Sequence, residues 1–141
     1  MSIPAAANTA PITDKAQLVE HIAQGEKPKA AWRIGTEHEK FAFRWSDYRA
    51  LPYEGPDGIR ALLTALERFG WEPVKEGETV IGLKKNGASV SLEPGGQVEL
   101  SGAPLETIHQ TCDEVNTHLA EVKAVTEDLG VGLIGLGFQP K

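Results

Sequence analysis

Ile34-Gly35-Thr36-Glu37-His38-Glu39-Lys40-Phe41 and Ser91-Leu92-Glu93-Pro94-Gly95-Gly96-Gln97-Val98-Glu99-Leu100-Ser101 set carboxylates inside runs that otherwise read as buried strand. Strand side chains alternate between faces, so Glu37 and Glu39 share a face with Phe41 and Phe43, about 6.6 Å apart along the strand. Two carboxylates at that spacing repel by roughly 2.5 kcal/mol at an effective dielectric of about 20. A wet surface tolerates that; a cleft does not unless a cation or proton intervenes. In the second stretch Ser91 and Glu93 project oppositely to Val90 and Leu92. Beyond the glycines, Gln97, Glu99 and Ser101 project oppositely to Val98 and Leu100. Both stretches carry a polar face over an apolar one.

The segments around these stretches predict how they are joined. Residues 31–45 mix aromatic and β-branched types with alternation, and their length suggests a central strand carrying the first acidic motif. Residues 79–84 and 88–93 flank Asn86-Gly87, the dipeptide a type I′ hairpin turn prefers, and that hairpin delivers Glu93. Glu93-Pro94-Gly95-Gly96 either turns tightly as type II or bulges before a strand over 97–101. Residues 46–57 form a loop with Tyr48, Arg49 and Tyr53 available for contacts. Ile59, Leu62, Leu63, Leu66 and Phe69 repeat at helical spacing and Gly70 closes that helix, before a short strand over 71–74.

Pro104 at a first helical position opens a long helix through Leu129, closed by Gly130. Leu105, Ile108, Cys112, Val115, Leu119, Val122 and Leu129 form a stripe along about 39 Å, a packing seam against a sheet or a partner helix, with Cys112 as a small buried residue on it. Residues 131–138 return as a glycine-interrupted strand, in which Gly132, Gly135 and Gly137 suggest close backbone approach or curvature. Near the start, Thr13 or Asp14 caps a short packing helix through Gln24, with Leu18 and Ile22 four apart. The order predicts an α+β fold, a mostly antiparallel sheet with outer helices and the acids on its inner face.

Composition removes several function classes. The 141 residues with 40% hydrophobic content build one core, and a net charge of −6 without a lysine or arginine cluster argues against a nucleic-acid footprint. No apolar run reaches the roughly 18 residues of a membrane span. Cys112 is the single cysteine, so no internal disulfide forms, and a reducing, cytoplasmic location is expected. Residues 1–12, rich in alanine and proline, read as a disordered leader lacking the pattern of a signal peptide.

Carboxylate oxygens are hard ligands that select Mg²⁺, Mn²⁺ or Ca²⁺, and magnesium held by one or two carboxylates keeps positions for phosphates. The residues alone therefore point to a metal-assisted nucleotide or phosphate reaction. His38 faces the side opposite the glutamates and reads as a packing or hydrogen-bonding histidine. His21, His109 and His118 lie on helices, and Lys84 and Lys85 read as solvated. No phosphate-binding Gly-x-x-x-x-Gly-Lys loop or dinucleotide fingerprint occurs.

Arg33 to Phe41, the run Ser91 to Thr107, and Gly137-Phe138-Gln139-Pro140-Lys141 resemble glutamate-cysteine ligase of the plant and proteobacterial type, over residues 29–141. That resemblance implies ATP-dependent phosphorylation of the γ-carboxylate of L-glutamate, attack by the amine of L-cysteine, and release of γ-glutamylcysteine, the first step of glutathione synthesis. It implies a glutamine-synthetase-like funnel of curved antiparallel sheet, with Glu37, Glu39, Glu93 and Glu99 holding Mg²⁺ against the phosphates of ATP. Gln97, Ser91 and Ser101 are the candidates for binding glutamate or a metal-bound water. Cys112 resembles the position of a regulatory cysteine in plant members. Residues 13–141 would form only the N-terminal part of the catalytic domain, about its first third. The remainder of the ligase chain or a separate subunit is then needed, and the segment is inactive alone. Two alternatives remain open: another carboxylate-amine ligase, or a noncatalytic partner subunit of the same fold.

Overall fold

Turn chemistry sets the strand order. In the computed structural model, which describes residues 10–140, Asn86 and Gly87 take φ of 50° and 86°, the left-handed pair that a type I′ turn requires. They join β3 (Thr79–Lys85) to β4 (Ala88–Glu93). At the next reversal Gly95 has φ 90° and the Gly96 N–H donates to the Glu93 carbonyl at 3.0 Å. That is the type II alternative rather than the bulge, and it leads into β5 (Gln97–Ser101). With β1 (Glu37–Arg44), β2 (Glu72–Glu76) and β6 (Val131–Ile134) these strands form one antiparallel sheet in the order β2-β3-β4-β5-β1-β6.

Helices α2 (Ile59–Leu66) and α3 (Ile108–Leu129) cover one face of that sheet. Leu62, Leu63 and Leu66 of α2 and Val122 and Val125 of α3 pack with Leu83, Val90, Val98 and Leu100 of the strands in a single core. Each fully buried leucine contributes about 1.5–3 kcal/mol. Helix α1 (Lys15–Ala23) starts at Asp14, whose side chain accepts from the Ala16 N–H while Gln17 completes the capping box. It has no buried residue, so the expected packing role of Leu18 and Ile22 fails among the described residues: both are exposed.

Further expectations change. The strand predicted over 31–45 is confined to Glu37–Arg44, because residues 29–31 form a 3-10 turn and Ile34 bridges Leu105 instead. That bridge also delays α3, which begins after Thr107 and not at Pro104. Thr107 accepts from the Gln110 N–H and Gln110 reaches back to it, a capping box stronger than a proline start. The helix is also turned relative to the predicted seam. Thr111, His118, Glu121, Val122, Val125 and Thr126 are buried, whereas Ile108, Cys112 and Leu119 are exposed. The final strand stops at Ile134 rather than 138. Gly132 lies under the Phe43 ring with no room for a Cβ, as close approach required, whereas Gly137 has open space. The leader expected over 1–12 lies outside the described residues through residue 9.

Candidate functional site

Strand register turns the two acidic stretches into one surface. Across β1 and β5, Glu37 stands opposite Ser101, Glu39 opposite Glu99, and Phe41 opposite Gln97. Across β5 and β4, Glu99 stands opposite Ser91 and Gln97 opposite Glu93. The seven candidate residues thus occupy three adjacent cross-strand rows, on the face away from the core residues Val90, Val98 and Leu100.

Glu99 sits at the centre of this surface and is 4% exposed. Ser101 Oγ donates to its Oε1 at 2.9 Å and the buried Ser91 Oγ to its Oε2 at 3.3 Å. Burial opposes ionisation of this carboxyl, but hydrogen-bond donation, with Ser101 and Ser91 among the donors, holds it below its ordinary value. The opposing Glu39 is exposed, and its Oε2 accepts from Gln97 Nε2 at 2.9 Å. The same Gln97 nitrogen donates to the Leu136 carbonyl at 3.2 Å, so one amide ties β1, β5 and the segment after β6. Glu37 is exposed and Glu93 half-buried.

Like charges directly opposite in an antiparallel pair destabilise the sheet, and Glu39 and Glu99 form such a pair with one member buried. A hard cation bound there would offset that repulsion. The donor set of carboxylate, hydroxyl and amide oxygens, without sulfur or imidazole on this face, fits Mg²⁺ or Mn²⁺ and not structural zinc. Among the described residues, no group of three or more histidine, cysteine, aspartate or glutamate side chains is gathered closely enough to hold a metal ion. The acids supply donors in neighbouring rows, not a closed cage.

The opposite face of β1 treats charge differently. Lys40 is 4% exposed, and its Nζ donates to the His38 carbonyl at 2.8 Å. Burial, opposed in part by the Glu99 carboxylate, leaves its amine lowered to about 8. His38 does face away from the glutamates; burial and then the Lys40 charge lower its pKa. His118 on α3 is 2% exposed, and its pKa falls to about 3 through burial and then the positive charges of Lys40, His38 and Lys85. Nearby, Glu121 accepts from Trp71 Nε1 and from Lys85 Nζ, both at 2.7 Å, and Lys85 lies 5.4 Å over the Trp71 ring. Lys85 is therefore built into the fold, contrary to its reading as solvated, while Lys84 pairs with Glu72 at the surface.

The sequence reading missed Lys40, Trp71, His118 and Glu121. Alternation was a usable signal for Lys40, because it places His38 and Lys40 on the face of Leu100 and Val98. Nothing local marks Glu121, whose partners lie 36 and 50 residues away.

Comparison with known proteins gives a family match over residues 33–141, to glutamate-cysteine ligase family 2. The chain is similar to the chloroplastic glutamate-cysteine ligase of Medicago truncatula, 57% identical over 94% of this chain and 26% of that protein. It is 58% identical to the Nicotiana tabacum chloroplastic ligase over 93% of this chain and 24% of that protein. Against the chloroplastic ligase A of Oryza sativa subsp. japonica it is 58% identical, with coverages of 94% and 26%. The chain spans about a quarter of the length of these curated relatives. Their chloroplastic names overturn the expectation of a cytoplasmic location, which rested only on cysteine usage and the lack of a signal-peptide pattern.

Proposed function

Because the chain belongs to glutamate-cysteine ligase family 2, we propose that its acid face is part of a site where ATP drives the joining of L-glutamate to L-cysteine. The product is γ-glutamylcysteine, the precursor of glutathione. In this reading Glu37, Glu39, Glu93 and Glu99 hold Mg²⁺. Bound there, the ion supplies charge neutralisation for the carboxylate rows and for the phosphoryl group passing from ATP to the γ-carboxylate.

The chain's own residues prepare that step. Ser91 and Ser101 help to hold the Glu99 carboxylate ionised and fixed in direction, and Gln97 fixes Glu39. In the same reading Gln97, Ser91 and Ser101 bind glutamate or a metal-bound water. The cysteine amine then displaces phosphate from γ-glutamyl phosphate. No acid-face residue acts as a nucleophile, so these residues position the reactants and shape the electrostatics. Residues 13–141 form the N-terminal part of the catalytic domain, and the sheet is one wall of a glutamine-synthetase-like funnel. The other substrate contacts come from sequence that the relatives carry outside the matched quarter, so the chain alone does not catalyse ligation.

The observation that carries this reading is the register that sets Glu39 against a buried Glu99, with Glu37 and Glu93 in the adjoining rows. A complete ligase carrying Glu37→Gln with Glu99→Gln should keep its melting temperature and lose Mg²⁺-dependent γ-glutamylcysteine formation. Undiminished turnover in that variant removes the site assignment. Phosphate release by the purified chain with ATP, glutamate and cysteine refutes its inactivity alone.

A further inference from the structure

We infer that the cleft between α3 and the β1–β6 end of the sheet is a docking surface for a polypeptide segment that brings a carboxylate side chain to Lys40. The cleft encloses about 420 Å³ and is walled by Trp45, Leu119, Val122, Val131 and Leu133, with Lys40 among its lining residues. Lysine is almost never fully buried unless paired. Lys40 is 4% exposed, yet its hydrogen bond goes to a backbone carbonyl, and among the described residues no carboxylate lies within ion-pair distance of it. The contrast is Lys85 on the same side of the sheet, which has Glu121 at 2.7 Å and the Trp71 ring. The acid that lines the cleft, Glu127, pairs with Lys123 at 3.8 Å. Glu99 acts on Lys40 only from beyond ion-pair distance, so the site lacks a direct ionic partner for Lys40 and has largely apolar walls, which complements an acidic side chain on an otherwise apolar segment.

The sheet edges indicate that the occupant is polypeptide. Edge strand β2 is guarded by Pro73, by Glu72, Lys75 and Glu76, and by a register shift at Val74/Lys75. Edge strand β6, Val131–Ile134, has no charge or proline and runs beside the cleft. Trp45 and Leu119 on the cleft walls are 57% and 38% exposed. The relatives supply a source for such a segment, since the chain covers only 24–26% of their length. The occupant we assign is a segment of that further sequence. This inference goes beyond the ligase reading and does not require the acid face to bind metal.

The test is calorimetric titration of the full 141-residue chain with the separately produced part of the Medicago truncatula ligase that has no counterpart in it. A complex is expected. Lys40→Met should weaken it at least about 30-fold, because truncating one partner of a buried charge pair costs a large part of its binding. The same variant, free, should melt at or above the wild-type temperature, because a lone buried charge has gone. Leu119→Glu should also weaken the complex, by setting an acid beside the incoming one. Absence of a complex, an unchanged affinity in Lys40→Met, or block of the complex by millimolar butyrate would overturn the inference, the last by transferring the site to a free small carboxylate. A complex that forms as expected while the Glu37→Gln, Glu99→Gln ligase keeps full activity would remove the ligase site assignment and leave the docking surface standing.

Discussion

In β1 the sequence Glu37-His38-Glu39-Lys40 sends its acids to one face of the sheet and its bases to the other, and the two faces manage charge in opposite ways. On the acid face, carboxylates stand opposite one another and are steadied by neutral donors, Ser91, Ser101 and Gln97. On the helix face, polar groups are fitted singly among aliphatic side chains: Glu121 against Trp71 and Lys85, and His118 beside Trp71. The contacts of Glu121 stabilise the fold, while Lys40 on the same face has no ion-pair partner among the described residues. The Glu39–Glu99 repulsion works against the sheet, and proteins keep such arrangements where a ligand makes use of them.

The sharpest way to break that contrast uses two neighbours in β5. Leu100, 1% exposed in the core, should cost about 3 kcal/mol as Leu100→Ala, through lost burial and the cavity left behind. Glu99→Gln should change stability by less than about 1 kcal/mol, since relief of repulsion against Glu39 offsets weaker hydrogen bonds from the serines. Urea denaturation of the two variants decides it. A Glu99→Gln loss equal to that of Leu100→Ala would make the acid face structural. The next largest effect belongs to the helix face. Glu121→Ala leaves Lys85 and the Trp71 N–H without their acceptor and should cost about 2 kcal/mol. Adding Lys85→Met should recover part of that loss, a non-additivity readable in a double-mutant cycle.

The acid face was legible because strand alternation is a local rule and both turns carry their own chemistry in Asn86-Gly87 and Pro94-Gly95. Helix α2 was legible for the same reason, its leucines lying at 3.6-residue spacing with Gly70 behind them. The face of α3 was not. A search for apolar repeats selects Ile108, Cys112 and Leu119, whereas the buried side of the helix includes Thr111, His118 and Glu121. Those residues are buried through partners distant in sequence, and apolar periodicity carries no record of them. Pro104 misled in a similar way, because Leu105 was already engaged by Ile34.

His118 tests the helix face through pH. Burial, followed by the charges of Lys40, His38 and Lys85, holds its folded pKa at about 3, below the ordinary value of 6.5. Between those values the unfolded chain binds a proton that the folded chain does not, so stability falls as pH drops from 6.5 towards 3. The slope from this one group is at most about 1.4 kcal/mol per pH unit. Urea midpoints at pH 7, 6 and 5 should show the decline in the wild type and a flatter profile in His118→Leu. An identical profile would mean that His118 is protonated inside the fold.

The smallest effect is expected in α1, which has a complete capping box and no buried residue. Leu18, Val19 and Ile22 are 50%, 59% and 75% exposed, so the helix shares little free energy with either face of the sheet. Asp14→Ala removes the acceptor for the Ala16 N–H at 2.7 Å, a loss of about 1 kcal/mol to the helix itself. Because the helix is so weakly coupled to the core, the global urea midpoint should correspond to a change below about 0.5 kcal/mol. Amide exchange across Lys15–Ala23 should nevertheless accelerate. A global loss as large as the local one would require the apolar side of α1 to be covered in solution, and would make it a second docking surface beside the Lys40 cleft.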